Sequence, residues 1–126
     1  MFEARVCSTF TASHQLRYPD GQLEAPHSHD WNVSVAVAAD KLDAAGLVVD
    51  FHVLRGGVEA ALRGLRGVSL NEHPAFAHQN PSAENVARHI AERVQASLPE
   101  GVRVAWVEVE EETGCFARYL PPAAGN

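Results

Sequence analysis

The chain has 126 residues, of which 46% are hydrophobic and 21% charged, and its formal net charge at pH 7 is −6. These values indicate one domain with the composition of an ordinary globular protein. The acidic balance, with Lys41 as the only lysine, offers no basic field for a nucleic-acid partner. The sequence also lacks an apolar run of about 18 residues and the features of a signal peptide, so we expect a cytoplasmic protein with no membrane segment.

The N-terminal third of the chain contains two predicted strands. Apolar and polar side chains alternate from Phe2 to His14 and again from Trp31 to Val37, which is typical of half-buried strands. The residues between them have turn and loop composition, with Tyr18-Pro19-Asp20-Gly21 as the clearest turn. Alternation places Cys7 on the face opposite His14, away from any site that His14 helps to form.

Three histidines fall where these two strands would meet. His27 and His29 are one residue apart, so on a strand both side chains point to the same face. Antiparallel pairing of the two strands would bring His14 to the same place. Three neutral imidazoles with an open fourth position are a usual ligand set of a catalytic zinc ion, which binds water or substrate at that position. The spacing alone is also compatible with three ordinary polar side chains.

Two helices are predicted next. Asp50 is the expected N-cap of the first, whose apolar residues recur at helical spacing from Leu54 to Leu65 despite three glycines. After a loop, Asn80-Pro81-Ser82 begins the second helix, with Glu84 in its first turn. An apolar stripe from Val86 to Leu98 completes this helix.

The last part of the chain predicts two more strands, over residues 102–109 and 116–120. The resulting order, ββααββ, predicts an α+β domain in which a four-stranded antiparallel sheet carries two helices on one face. We assign residues 1–120 to this single domain and residues 121–126 to a loose C-terminal tail.

Five short motifs along the chain resemble motifs that occur in the same order in one protein family. Residues 10–16 look like an F-x-A-x-H-x-L strand, and residues 26–31 look like an H-G-H-x-aromatic motif with Ser28 in place of glycine. Residues 46–51 are similar to G-x-V-x-D-F, and the remaining two motifs, Leu70-Asn71 and residues 80–85, are similar to L-N and N-P-T-x-E-N. In this order the motifs resemble the family of 6-pyruvoyltetrahydropterin and 6-carboxytetrahydropterin synthases, and the resemblance covers nearly the whole chain.

The resemblance implies a zinc ion held by His14, His27 and His29. It implies the tunnelling fold, whose members assemble into rings with the active site between subunits, so we expect a homo-oligomer and leave trimer and hexamer open. It also implies a pterin-type ligand held by a carboxylate near the last strand. Counting back from the closing A-x-Y gives Glu111, with Glu112 as the alternative one residue on. A solvated acidic edge is the plainer interpretation of these glutamates.

The residues that move protons in the family are missing from this chain. The family has a cysteine a few residues before H-G-H and an Asp-His pair just before L-N. Here the positions four and six before His27 are Leu23 and Gly21, and Arg66 and Gly67 occupy the positions of the pair. We therefore expect altered chemistry in place of the standard synthase reaction.

Several side chains are candidates to replace this machinery. Glu24 lies three residues before His27, and family members with a glutamate near the missing cysteine are associated with aldolase-type cleavage of the pterin side chain; an apolar pocket would raise the pKa of this carboxyl. His73 or His78 could supply an imidazole, and Cys115 a thiol. The plainer interpretations are a solvated loop glutamate, surface histidines and a small buried core cysteine.

Three functions remain open on the sequence alone. The first is a zinc-dependent, lyase-like enzyme of the pterin synthase or aldolase type, acting on a pterin or a related bicyclic ligand. The second is a non-catalytic protein that binds zinc and a pterin. The third is a protein in which zinc is purely structural and ties the first two strands together.

Overall fold

The computed structural model describes residues 1–123 and contains a four-stranded antiparallel sheet whose strands lie side by side in chain order. The strands are β1 (Phe2–His14), β2 (His27–Ala39), β3 (Arg103–Glu112) and β4 (Cys115–Tyr119). Helices α1 (Phe51–Arg63) and α2 (Ala83–Gln95) join the two halves of the sheet, and two short 3-10 turns, Leu70–Glu72 and Pro74–Phe76, lie between the helices. The predicted α+β architecture and the order ββααββ are confirmed.

The ends of the chain and of its elements differ slightly from expectation. Residues 121–123 of the predicted tail have no regular secondary structure, and residues 124–126 lie outside the described part of the chain. Strand β2 begins at His27, four residues earlier than predicted, because this stretch pairs with the end of β1. Between residues 1 and 123, neither α-helix has the length and apolar character needed to cross a membrane.

The pairing register of β1 and β2 determines where the histidines lie. The two strands pair along their full lengths, from Phe2 opposite Ala39 to His14 opposite His27. His29 lies opposite Ala12, and its side chain is on the same face of the sheet as that of His27. All three histidines therefore meet at one end of the β1–β2 pair.

The core lies between one face of the sheet and the two helices. Residues of alternating parity on the strands, such as Val6, Phe10 and Val35, are buried together with Leu54 and Ile90 of the helices. The opposite face of β1 carries exposed polar side chains, among them Cys7, as alternation predicted. This packing fixes the strand ends that carry the histidines.

Both helices begin where the sequence predicted a helix start, the first at the predicted cap Asp50. The Asp50 side chain accepts a hydrogen bond from the amide of His52, and the Ser82 hydroxyl accepts one from the amide of Asn85. Ser82 matters for the site because the cap fixes the chain just before α2, where the carbonyl of Pro81 faces β1.

Candidate metal centre

The three predicted histidines converge on one point. One ring nitrogen from each of His14, His27 and His29 lies within 4.8 Å of the other two. Exposure decreases inward, since the side chain of His27 is 33% exposed, that of His29 is 14% exposed and that of His14 is 1% exposed. The cluster is therefore open to solvent on one side and sealed on the other.

Trp31 forms the sealed wall of the cluster. Its side chain is fully buried, stacks on Phe10 with ring centroids 5.6 Å apart and donates from Nε1 to the carbonyl of Ala12 over 3.2 Å. The edges of the rings of His14 and His29 contact it at centroid distances of 4.9 and 6.1 Å. The hydrophobic core thus supports two of the three histidines directly.

Hydrogen bonds to neighbouring groups fix the tautomers of two histidines. Nδ1 of His14 lies 2.7 Å from the carbonyl oxygen of Pro81, and since a carbonyl can only accept, in the neutral imidazole Nδ1 carries the proton and Nε2 a lone pair. Nε2 of His27 lies 2.8 Å from Oε1 of Glu24, so in the same way its Nδ1 carries a lone pair. Partners of this kind, one per imidazole, are the usual outer neighbours of metal-binding histidines.

The free nitrogens fit a metal ion. Nε2 of His14 is buried and has no hydrogen-bond partner among residues 1–123, which is costly for a polar atom unless something binds it. Nδ1 of His27 directly faces Nε2 of His29, and two such nitrogens repel unless a cation or a proton lies between them. Three neutral imidazoles suit zinc among the common divalent ions. Zinc would be held by these three nitrogens.

A β-bulge brings Glu111 to the same cluster. In the β3–β4 pair Glu110 lies opposite Phe116 and Glu112 opposite Cys115, which leaves Glu111 as the extra residue. Its Oε1 is 3.3 Å from Nε2 of His14 and its Oε2 is 3.9 Å from Nε2 of His29. Glu112 is farther away and 59% exposed, with 4.0 Å between its Oε1 and Nε2 of His29.

The other two glutamates of this acidic run have separate partners. Glu108 forms an ion pair with Arg118 over 3.1 Å. Glu110 accepts hydrogen bonds from the amide of Gly114 and from Asn32, and these contacts lower the pKa of its carboxyl. The acidic edge is therefore divided among distinct contacts, and Glu111 is the member that faces the histidines most closely.

A small concavity adjoins the cluster beside Glu111. It has a volume of about 290 Å³ and is lined by Glu111, Ser82, Cys115 and Phe116 among others, which is close to the lower end of the range for small-molecule sites. Cys115 is exposed here, so the interpretation of this residue as a small buried core cysteine is wrong. It directly follows the tight turn after β3, where no core is within reach.

A larger concavity of about 920 Å³ lies at the far end of the sheet. It is lined by residues 39–43, 48–50 and 97–102 and by Val53, with no histidine among them. The distance to His27 along the 13 residues of β2 is roughly 40 Å at the usual rise per residue. We place the candidate site at the histidines because convergent polar groups mark a binding site better than volume does.

Glu24 is bonded to the cluster. Its Oε1 accepts a hydrogen bond from Nε2 of His27 over 2.8 Å and another from the amide of Leu16 over 3.1 Å. No hydrogen bond from residues 1–123 reaches Oε2. The bond from His27, followed by that from Leu16, lowers the pKa of this carboxyl, so the expectation of a raised pKa is wrong. The physical reason is that donors to the carboxylate outweigh its desolvation.

The structure separates the other candidates from the three histidines. Nδ1 of His73 accepts a hydrogen bond from the amide of Ala75, and its ring packs against those of Phe76 and His89. His78 is exposed in the following loop. Arg66, at one of the positions of the missing Asp-His pair, forms an ion pair of 2.5 Å with Glu59. Neither His73 nor His78 belongs to the cluster of possible metal ligands.

Sequence reasoning missed the backbone partners of the site. The carbonyl of Pro81 orients His14, and the side chain of Asn71 binds the amide and carbonyl of Gln15, the residue directly after β1. The motif residues Leu70-Asn71 and Asn80-Pro81-Ser82 were visible in the sequence, but their contacts with β1 were not. These contacts join residues more than 50 positions apart, which no local pattern reveals.

The fold and the histidine cluster define the class of the protein: an α+β domain with a candidate metal centre at one end of its sheet. Comparison of the chain with known proteins identifies the family. The 6-pyruvoyl tetrahydropterin synthase family matches residues 3–122. A 6-carboxy-5,6,7,8-tetrahydropterin synthase of Bacillus subtilis is 30% identical over 132 residues, covering 98% of this chain and 88% of that protein. A dihydroneopterin monophosphate aldolase of Pyrococcus furiosus is 29% identical over 97 residues, covering 77% of this chain and 78% of that protein.

Solved structures show the same fold. The Caenorhabditis elegans 6-pyruvoyl tetrahydropterin synthase superposes with a TM-score of 0.80 at 19% identity, covering 96% of each chain. A Plasmodium vivax 6-pyruvoyltetrahydropterin synthase, solved as a variant in which a catalytic glutamate is replaced by alanine, superposes with a TM-score of 0.72 at 15% identity, covering 94% of this chain and 98% of that one. The chain belongs to the 6-pyruvoyl tetrahydropterin synthase family and has its tunnelling fold.

Proposed function

We propose that this protein is a zinc-dependent lyase that cleaves the side chain of a dihydroneopterin-type substrate, in the manner of an aldolase. The observation that carries the proposal is the hydrogen bond between the carboxylate of Glu24 and His27, one of the three convergent histidines. Glu24 lies in the short segment before His27, where the family has its cysteine. Support comes from a relative described as a dihydroneopterin monophosphate aldolase and from a structural neighbour with a catalytic glutamate.

Zinc bound by the three histidines would act as a Lewis acid that lowers the pKa of a side-chain hydroxyl. Glu24 then accepts the proton of the hydroxyl on the second side-chain carbon. The bond between the first and second carbons breaks, an aldehyde leaves, and the electron pair passes into the ring imine next to the first carbon. Glu24 returns the proton to the first carbon, so the products are hydroxymethyl-dihydropterin and the aldehyde.

The two oxygens of Glu24 suit two tasks. Oε1 is already engaged with His27 and the amide of Leu16, whereas Oε2 receives no hydrogen bond from the described residues. We assign orientation of His27 to the first oxygen and proton transfer to the second.

Glu111 is the proposed anchor of the pterin ring. A carboxylate can accept two parallel hydrogen bonds from an aminopyrimidine edge, and Glu111 lines the concavity of about 290 Å³ beside the cluster. This volume fits a ring system of modest size and leaves the side chain of the substrate to reach toward the histidines.

We also propose a homo-oligomer with the site at the subunit interface. Strand β4 is at one edge of the sheet, and its Phe116, which lines the concavity, is 59% exposed, with Leu120 beyond it 65% exposed. Large apolar side chains at a sheet edge favour a covered surface. Native mass spectrometry gives the subunit number and decides between trimer and hexamer; a monomer at micromolar concentration contradicts this proposal.

The test is product analysis with zinc-loaded protein. Dihydroneopterin and its monophosphate and triphosphate are incubated separately and the products identified by mass spectrometry, with bound zinc measured in parallel. Hydroxymethyl-dihydropterin and an aldehyde are the expected products, whereas a pyruvoyl or carboxy product contradicts the proposal.

Two substitutions separate the tasks of Glu24. In Glu24→Gln an oxygen still accepts the hydrogen bonds from His27 and Leu16 but no longer takes a proton, so we expect full zinc content and a rate lower by about 100-fold to 10,000-fold. Glu24→Ala also removes the partner of His27, and zinc affinity should fall by about 10-fold to 100-fold. Glu92→Gln, an exposed glutamate on α2, is the matched control. An unchanged rate in Glu24→Gln rules out Glu24 as the base.

One observation favours a second function, a non-catalytic protein that binds zinc and a pterin. Arg66 is held in an ion pair with Glu59, and His73 caps a turn beside α2, so the helper residues of the family have no evident replacement at those positions. Saturable pterin binding, lost in Glu111→Ala, without a product from any of the three substrates would establish this function instead. Zinc-dependent stability without pterin binding would leave a structural zinc.

A further inference from the structure

We propose that Glu111 is a fourth ligand of the metal centre while the adjoining concavity is empty, and that a pterin ring bound there takes the carboxylate away from the metal. The first half concerns this chain's own residues around the three histidines. The second half rests on the proposed function, because it requires a pterin as the competing partner.

The contact between Glu111 and His14 cannot be explained by an ordinary hydrogen bond. Nδ1 of His14 donates to the carbonyl of Pro81, so in the neutral imidazole Nε2 presents a lone pair, and an ionised carboxylate can only accept. Nevertheless Oε1 of Glu111 lies 3.3 Å from this nitrogen, which makes no hydrogen bond within residues 1–123. Two acceptors at this distance need a positive charge between or beside them.

The separation agrees with shared coordination. Nitrogen and oxygen ligands that lie about 2.0–2.1 Å from a tetrahedral zinc ion are roughly 3.3 Å from one another. The observed 3.3 Å between Nε2 of His14 and Oε1 of Glu111 has this value. The distance from Oε2 to His29 is longer, at 3.9 Å, so the geometry points to Oε1 as the ligand atom. Glu111 falls within 4.8 Å of possible ligand atoms of His29 and Glu112 as a group, and not of all three histidines together, so ligation requires its side chain to rotate further toward the cluster.

The bulge in β3 selects Glu111 over its neighbours. As the unpaired residue between Glu110 and Glu112, it is the member of the run that comes within 4.0 Å of His14 among the described residues. Glu112 is more exposed and approaches only His29, at 4.0 Å. The two adjacent glutamates therefore form a matched pair for substitution.

The same carboxylate also lines the concavity beside the cluster. If its oxygens accept hydrogen bonds from a pterin ring, Oε1 is no longer free to bind the metal, because both tasks use the same lone pairs. Occupation of the concavity should therefore open the fourth metal position, where a substrate hydroxyl can then bind. This coupling would keep the metal site closed until the ring is in place.

The first test measures metal binding without turnover. Zinc affinity is determined by chelator competition for the unaltered protein, Glu111→Gln and the control Glu112→Gln, with circular dichroism to check that each is folded. We expect Glu111→Gln to lose at least about tenfold in affinity and Glu112→Gln to remain unchanged. Glu111→His should restore metal affinity, since it supplies another ligand, but not pterin binding. Equal affinities for all four proteins overturn the proposal.

The second test follows coordination directly. Cobalt(II) replaces zinc, and its visible absorption bands are recorded before and after addition of unsubstituted pterin, which has no side chain to bind the metal. We expect the bands to shift in the unaltered protein and not in Glu111→Gln. A spectrum identical in the two proteins without pterin shows that Glu111 is not a ligand.

The outcomes separate this inference from the proposed function. Unchanged metal affinity in Glu111→Gln together with lost pterin binding overturns the ligand role and leaves the proposed lyase intact. Absence of metal binding in the unaltered protein removes the metal centre, and both proposals fail.

Discussion

Trp31→Phe is the substitution that most directly tests how the core supports the candidate metal centre. The change removes two carbon atoms and the Nε1–H from a side chain that is fully buried. At about 0.8 kcal/mol per buried carbon, the lost burial amounts to roughly 1.6 kcal/mol. The lost hydrogen bond to the carbonyl of Ala12 adds about 1 kcal/mol. The free energy of unfolding should therefore fall by roughly 2–3 kcal/mol, with any residual cavity increasing the loss.

Urea denaturation of the metal-free protein measures this loss, and Trp106→Phe is its matched control. Trp106 is half-buried and mainly carries the guanidinium of Arg118, 3.9 Å from its ring centroid, a contact with a contribution of about 0.5–1 kcal/mol. Zinc affinity should fall in Trp31→Phe, because the rings of His14 and His29 pack against the indole. It should stay constant in the control. A loss below about 1 kcal/mol, or one no larger than that of the control, refutes the reasoning.

Three further predictions concern packing, pH and metal. Gly56→Ala should stabilise α1 by about 0.5–1 kcal/mol because open space surrounds the new methyl group. Gly57→Ala should stabilise it less, since its Cβ would lie 2.5 Å from Oγ of Ser97, which must rotate away and lose its hydrogen bond to the carbonyl of Val94; urea denaturation compares the two. Burial, and then the nearby His73, lower the pKa of His89 below its usual 6.5. The unfolded state therefore takes up the proton first, so the free energy of unfolding should drop as the pH falls below about 6.5, and less so in His89→Gln. Removal of zinc by a chelator should lower Tm and added zinc restore it; an unchanged Tm contradicts a metal centre.

Much of the fold could be predicted because its signals are local. The alternation from Phe2 to His14 describes β1 over its whole length, and Asp50 and Ser82 both cap the helices that they were expected to begin. The convergence of the histidines also followed from local rules, since only the i, i+2 spacing and one antiparallel pairing were needed. The division at residue 120 into a domain and a tail stays a prediction.

Features set by tertiary contacts could not be predicted. The pKa of Glu24 depends on a hydrogen bond from His27 and on the amide of Leu16, and neither partner is implied by its position in a loop. The bulge that aims Glu111 depends on how β4 pairs with β3. His73 looked available to the site because it follows Leu70-Asn71, but its ring turns toward His89 and caps its own turn instead.

In the proposed function, Glu24 in place of the family's thiol would change both the base and the support of the metal centre. A thiol is a weak acceptor, whereas the carboxylate holds His27 with one oxygen and leaves the other for a substrate. A carboxylate is also the weaker base by about four pKa units in the ordinary reference values, so it suits a hydroxyl that a metal has already acidified better than a carbon-bound proton. Cleavage that starts at a hydroxyl fits this chain better than proton removal from carbon, and a substrate whose second side-chain carbon lacks the hydroxyl should bind without reacting. Conversion of such a deoxy analogue would show that Glu24 acts on carbon.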